Sequence, residues 1–120
     1  MPRLLVVDDE DGIRRVLTQL FEYEGHEVRS AASAGEAISA FTDFLPDLTF
    51  MDVKMARMDG LEALTRIKEL DPHALVVMIS GHGTIETAVE ATRRGAYDFL
   101  EKPLETDRIL LVLRNALQQR

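Results

Sequence analysis

The chain has 120 residues, enough for one domain with a buried core. With 46% hydrophobic and 29% charged residues it has an ordinary globular composition, and the absence of cysteine excludes disulfides, thiol catalysis and thiolate metal sites. A net charge of -7 argues against a domain that grips nucleic acid by itself, because phosphate contacts need clustered Lys and Arg.

Arg3 leads straight into Leu4-Leu5-Val6-Val7 and two aspartates, unlike a secretory signal, so the expected location is the cytoplasm. No apolar run approaches the roughly 20 residues of a membrane span.

Leu4 to Val7 is uniformly apolar, as a strand covered on both faces should be. Ile13, Val16, Leu17, Leu20 and Phe21 then recur at helical spacing, and Gly25 ends that helix. Val28 to Ala31 is a weaker second strand. Ala37, Ile38 and Phe41 stripe a second helix that stops before Pro46. Leu48 to Met51 gives the third strand, Val53 to Gly60 a loop, and Leu61 to Leu70 a third helix closed by Asp71-Pro72. Leu75 to Ile79 is the fourth strand, and Ser80 to Gly83 a small-residue loop. Ile85, Ala88 and Val89 mark a short fourth helix closed near Gly95. Tyr97 to Leu100 is the fifth strand, followed by Lys102-Pro103 and a last helix to about Gln118.

Five βα units in succession predict an α/β fold: one parallel sheet between two helical layers, without linker or repeat. Right-handed crossovers put every strand's carboxyl end on one edge, where open α/β sheets place their sites. Two doubly wound strand orders compete. The dinucleotide order wants a glycine-rich first turn, but that turn reads Asp8-Asp9-Glu10-Asp11-Gly12, whose carboxylates would repel a pyrophosphate. The flavodoxin order, 2-1-3-4-5, makes strands one and three neighbours and brings Asp8, Asp9 and Asp52 together.

Such a group cannot stay ionised without a compensating charge. Mg²⁺ or Mn²⁺ fits, being hard and content with a few carboxylates plus waters. Lys102 adds a fixed positive charge at the same edge. A cation and a lysine beside an aspartate suit phosphoryl transfer to a carboxylate.

Taken singly, each residue also has a structural reading. Aspartate after a strand is often a turn former or helix cap, and Asp11 is expected to cap the first helix. Ser80 alone reads as a loop residue and Lys102 alone as a solvated one. Gly81-His82-Gly83 lacks the lysine of a P-loop, so flexibility is its better account. His26, His73 and His82 have no metal-ligand spacing, and Ser80 is not in a G-x-S-x-G elbow.

In these residues the chain resembles the receiver domain of two-component response regulators along essentially its whole length. Five motifs carry the resemblance. They are Leu4-Leu5-Val6-Val7-Asp8-Asp9-Glu10, Leu48-Thr49-Phe50-Met51-Asp52-Val53-Lys54-Met55, and Met58-Asp59-Gly60-Leu61-Glu62. Ile79-Ser80-Gly81-His82-Gly83 and Gly95-Ala96-Tyr97-Asp98-Phe99-Leu100-Glu101-Lys102-Pro103 complete them.

The resemblance implies that Asp52 takes phosphate from a sensor histidine kinase. It implies Mg²⁺ bound directly by Asp9, Asp52 and the Lys54 main-chain carbonyl, with Asp8 acting mainly through water. Lys102 would contact the phosphoryl oxygens, and the Lys102-Pro103 bond would be cis. Ser80 would bond the phosphoryl group while Tyr97 turns inward to follow it, switching the surface of the fourth helix, fifth strand and fifth helix. That surface is also the expected homodimer face.

One departure stands out: Met55 is followed by Ala56 where the family usually has proline, which loosens the loop. Lys54 and His82 occupy positions that tune phosphate lifetime in this family. The stretch from Gly81 to Val89 is similar to regulators of the nitrogen-regulation class, which carry an AAA+ ATPase acting on the sigma-54 polymerase and a DNA-binding domain. The last helix finishes near Arg120, so any such output domain is expected to lie outside this chain.

In the last helix, Ile109, Val112, Leu113 and Ala116 form a core stripe, and Leu110, Leu111 and Leu117 extend apolar surface beyond it. A helix apolar on more than one face usually covers a partner as well. Two other functions compete with the phosphorylated switch. A Mg²⁺-dependent phosphohydrolase using Asp52 would want a second aspartate two residues on, where Lys54 stands. A pseudo-receiver that only binds partners would not need Asp8, Asp9, Asp52, Ser80 and Lys102 intact.

Overall fold

Strands and helices alternate along the chain of the computed structural model, which describes residues 1–55, 59–81 and 83–119. The strands are β1 (Arg3–Val7), β2 (Glu27–Ala31), β3 (Leu48–Asp52), β4 (Val76–Ser80) and β5 (Asp98–Glu101). The helices are α1 (Asp11–Tyr23), α2 (Ala34–Phe44), α3 (Gly60–Leu70), α4 (Ile85–Arg93) and α5 (Thr106–Leu117). All strand pairs are parallel, and the order is β2-β1-β3-β4-β5, the flavodoxin arrangement.

Burial explains the order. The central strands β3 and β4 are buried at every residue and β1 at all but its first, while β2 and β5 are partly exposed edges. Successive side chains alternate between two cores. Leu5, Val7, Met51, Val76 and Met78 face α2 and α3 and meet Ala91 of α4. Leu4, Val6, Leu48, Phe50, Val77 and Ile79 face α1 and α5. In this second core the rings of Phe21 and Phe50 pack 4.9 Å apart.

Helix starts and stops follow local chemistry. Ser33, Asp59 and Thr84 each accept a hydrogen bond from a first-turn N–H of α2, α3 and α4. Gly25 and Gly95, with φ of 92° and 101°, turn the chain after α1 and α4 as only glycine does cheaply. Leu45 makes the corresponding turn after α2 in the left-handed region, ahead of Pro46.

Several sequence expectations shift. β4 and β5 each begin and end one residue later than predicted, and β3 runs one residue further. The ladder pairs backbones whatever the side chain, so Asp52, Ser80 and Glu101 are terminal strand residues rather than loop residues. Asp11 does not cap α1. The helix begins at Asp11 itself, whose carboxylate pairs with Arg14, and the extended Glu10 is the cap residue. In α5, Leu110 and Leu117 are partly buried in the domain's own core, which leaves Leu111 as the half-exposed leucine. Other exposed apolar side chains lie on α4, at Ile85 and Val89, and on α1, at Val16 and Tyr23. The expected loosening at Ala56 and the lifetime position at His82 lie outside the described residues.

Phe50→Ala removes a fully buried ring and should cost about 3–5 kcal/mol in urea unfolding. Ile85→Ala, at an 84% exposed position, should stay within about 0.5 kcal/mol of wild type. Similar losses at the two sites would contradict this core assignment.

Candidate functional site

Four strand ends supply the site. β1 delivers Asp8, 1% exposed, and then the exposed Asp9 and Glu10. β3 ends on Asp52 and β4 on Ser80, each 5% exposed. Lys102 follows β5 with its side chain largely buried.

Backbone hydrogen bonds fix each of these ends. Asp8 N donates to Ala31 O at 3.2 Å, so the edge strand β2 contributes a carbonyl although it contributes no side chain. Val53 N donates to Ile79 O at 2.8 Å, and Lys102 N to Ser80 O at 2.8 Å. The Lys102-Pro103 bond is cis, as expected.

Behind Asp52, the loop closes through Gly60 N to Val53 O at 2.7 Å and a bridge between Lys54 and Asp59. A Cβ on Gly60 would stand 2.0 Å from the Asp52 carbonyl oxygen, so no other residue fits against the end of β3. Arg14 secures the other side, donating to the Asp8 carbonyl at 2.6 Å.

The side chains converge on the Lys102 ammonium. Its Nζ lies 3.2 Å from Asp8 Oδ2, 3.6 Å from Glu10 Oε1 and 3.6 Å from Asp52 Oδ2. Burial opposes the charge on Lys102, but Asp52, Asp8 and Glu10 outweigh it and hold the lysine above its ordinary value. Asp52 is raised too, from 3.8 to about 6, which for an acid disfavours the charged form. Burial is the main cause and the Asp8 carboxylate the next. Lys102 and the Lys54 main-chain N–H pull it down, and Asp9 adds a smaller upward push.

A cleft of about 290 Å³ opens here, lined by Asp9, Glu10, Asp52, Lys54, Ser80, Gly81 and Lys102. A hollow of about 360 Å³ between β5 and α5 is at least as roomy but gathers no comparable charge cluster, so volume does not mark the site.

The donors suit a hard divalent cation. Carboxylate oxygens of Asp8, Asp9 and Glu10 lie within 4.8 Å of one another. Asp8 Oδ2 is buried, and Lys102 is its close cationic partner among the described residues. Asp52 is joined to this group through Lys102. Glu10 is the residue that sequence reasoning missed. Its adjacency to Asp8-Asp9 was the available signal, but an exposed glutamate before a helix reads as a solvated cap.

The structure brings together Asp8, Asp9, Asp52, Lys54, Ser80 and Lys102, but not Tyr97. Tyr97 stands before β5, at the amino end of the sheet, where its N–H donates to Val76 O at 2.7 Å. Its side chain packs with the core under α1 and α5. Ser80 continues the alternation of Val76 and Met78, which face the other helical layer. The sheet therefore separates Tyr97 from Ser80. Phe99 is the aromatic on the Ser80 face: a Cβ on Gly83 would lie 3.0 Å from its ring and 3.4 Å from Ser80 Cβ.

Comparison with known proteins identifies the fold and its family. The family described as response regulator receiver domain matches residues 4–114. The nitrogen assimilation regulatory protein NtrX of Azorhizobium caulinodans is 45% identical over 117 residues, covering 96% of this chain and 26% of that protein. The crystal structure of the receiver domain of NtrX from Brucella abortus is 50% identical with a TM-score of 0.91, covering 98% of this chain and 99% of that one. The solution structure of the beryllofluoride-activated NtrC4 receiver domain dimer is 39% identical with a TM-score of 0.94, covering 99% and 98%. The chain spans about a quarter of the length of the curated relatives it matches.

The raised Asp52 value has a stability consequence. Below pH 3.8 the carboxyl is protonated in both folded and unfolded chains. Between 3.8 and about 6 the unfolded chain gives up the proton first, so stability falls as pH rises through that window and stays lowered above it. Asp52→Asn should therefore be more stable than wild type by up to about 3 kcal/mol near neutral pH in cation-free buffer. The gap should close toward pH 4. Urea unfolding at several pH values measures it, and a constant or absent gap would contradict the assigned electrostatics.

Proposed function

The chain belongs to the response regulator receiver domain family, and from that premise we propose that Asp52 is the phosphoacceptor, receiving the phosphoryl group of a sensor histidine kinase. The observation that carries this reading is the meeting of Asp8, Glu10 and Asp52 around one lysine at the edge shared by four strand ends.

A divalent cation (Mg²⁺ or Mn²⁺) held by Asp8 and Asp9, with Asp52 and the Lys54 carbonyl completing the set, would supply the positive charge that phosphoryl oxygens require. Asp52 attacks through a carboxylate oxygen, forming the new O–P bond as the P–N bond to the kinase histidine breaks. The electron pair of that bond leaves on the imidazole. With its carboxyl at about 6, Asp52 is mostly ionised at neutral pH and available as the nucleophile. Lys102, charged throughout the neutral range, pairs with the phosphoryl oxygens once Asp52 is no longer a carboxylate.

Ser80 ends β4 on the cleft wall, which supports its bonding the phosphoryl group. The aromatic residue that follows it is Phe99 rather than Tyr97, because Phe99 shares Gly83 with Ser80 on one face of the sheet. Movement there reaches α4, whose first turn begins two residues after Gly83.

The altered α4-β5-α5 surface then controls an output domain in a longer protein, in keeping with a chain that spans a quarter of its relatives. The likeness to a nitrogen assimilation regulator favours transcription control through a sigma-54-directed ATPase and a DNA-binding domain. Ile85 and Val89 of α4 and Leu111 of α5 are exposed apolar residues on a surface suited to homodimerisation. The place of action is the cytoplasm, and among the described residues no helix is long and apolar enough to cross a membrane. The protein is a switch that turns over only its own phosphoryl group.

Incubation with Mg²⁺ and acetyl phosphate, followed by intact mass measurement, should add one phosphate to wild type and none to Asp52→Asn. Lys102→Met should lower the yield at least tenfold, on the order expected for loss of an electrostatic phosphoryl contact. Equal labelling of wild type and Asp52→Asn would remove Asp52 as acceptor.

A further inference from the structure

Glu10 is poised between two partners. It is the cap residue of α1, with φ -92° and ψ 121°, but its side chain makes no capping hydrogen bond and is not committed to the helix. Its main-chain N–H donates to Asp8 Oδ1 at 2.9 Å, which anchors the backbone against the metal-binding end of the cleft. From this anchor its carboxylate reaches Lys102 Nζ at 3.6 Å. A carboxylate oxygen of Glu10 also lies within 4.8 Å of those of Asp8 and Asp9.

Lys102 thus has three carboxylates around it, of which Glu10 has the most exposed side chain, at 65%. Asp8 and Asp52 sit at strand ends and are nearly buried, so neither has much room to turn. A divalent cation beside Asp8 and Asp9 offers Glu10 twice the charge that Lys102 does. Freed from Glu10, the ammonium loses one of the anions that compete with an incoming phosphoryl group.

We propose that Glu10 is a positioning residue that exchanges partners: it holds Lys102 when no cation is bound and turns to the cation when one is. Cation binding thereby prepares the lysine for phosphoryl oxygens. This rests on the cation site proposed above, and it goes beyond that site by adding a residue and a coupling.

The test compares wild type with Glu10→Gln, an isosteric change at an exposed position. Mn²⁺ titration by calorimetry at low salt should show about fivefold weaker binding in the variant, a loss that shrinks at high salt. In the same samples without cation, the Lys102 side-chain resonance should move on Glu10→Gln in the direction that Mg²⁺ moves it in wild type. A merely structural role would shift the thermal unfolding midpoint and leave this direction unexplained. Equal Mn²⁺ affinities, or a Lys102 resonance that the substitution leaves in place, would overturn the partner exchange. Wild type that binds no Mn²⁺ would instead overturn the cation site itself.

Discussion

Crowding carboxylates at the edge of a buried parallel sheet is the constraint around which this molecule is arranged. Asp8 and Asp52 are nearly inaccessible to water, and their neighbours Asp9 and Glu10 add further negative charge. Lys102 is the counterweight, touching Asp8, Glu10 and Asp52 at 3.2–3.6 Å. One ammonium does not offset four carboxylates, and Asp52, raised to about 6 by burial first and by the Asp8 carboxylate next, is not brought back down by Lys102. An unbalanced pocket takes up positive charge, and the acyl phosphate proposed on Asp52, which carries more negative charge than the carboxylate it replaces, would need both a cation and the lysine to balance it. The same tension that makes the site costly in the resting state makes it responsive.

The scaffold keeps that tension from relaxing. Every strand end is tied to a neighbour by a backbone hydrogen bond, from Ala31 through Asp8, from Ile79 through Val53, and from Ser80 through Lys102. Gly60 packs so closely on the Asp52 carbonyl that the end of β3 has no room to withdraw. Any rearrangement at this edge would have to be taken up by a softer element. α4 is the candidate, since Ala91 is its one fully buried residue and its first turn exposes Ile85. The Arg94 side chain bonds Glu90 within α4 and reaches Thr65 of α3, so the far end of the helix is held more firmly than its start.

Much of this was legible in the residues. Short, largely apolar runs ending on Asp8, Asp52 and Ser80 read as buried parallel strands whose carboxyl ends meet, and the acidic first turn argued against the dinucleotide order. What was hidden depended on directions rather than positions. Tyr97 and Phe99 are two apart in a short edge strand, and sequence does not say where the ladder begins. The strand starts at Asp98, so Tyr97 falls outside the pleat and into the α1–α5 core. The α5 leucines looked surplus because helical spacing counts residues, whereas Leu110 and Leu117 reach back into the core at its margins. Glu10 was hidden for the opposite reason: being exposed, it gave no periodic signal, and only its distance to Lys102 gives it a part.

Most directly at stake is whether Asp52 is held unusually protonatable by burial and by Asp8, against the pull of Lys102. Carbon-13 NMR of the Asp52 side-chain carboxyl, titrated in cation-free buffer, reads this without any phosphodonor or kinase. A midpoint of about 6, moving higher in Lys102→Met, is the result predicted. A midpoint at the ordinary 3.8, unmoved by the loss of the lysine, would contradict it.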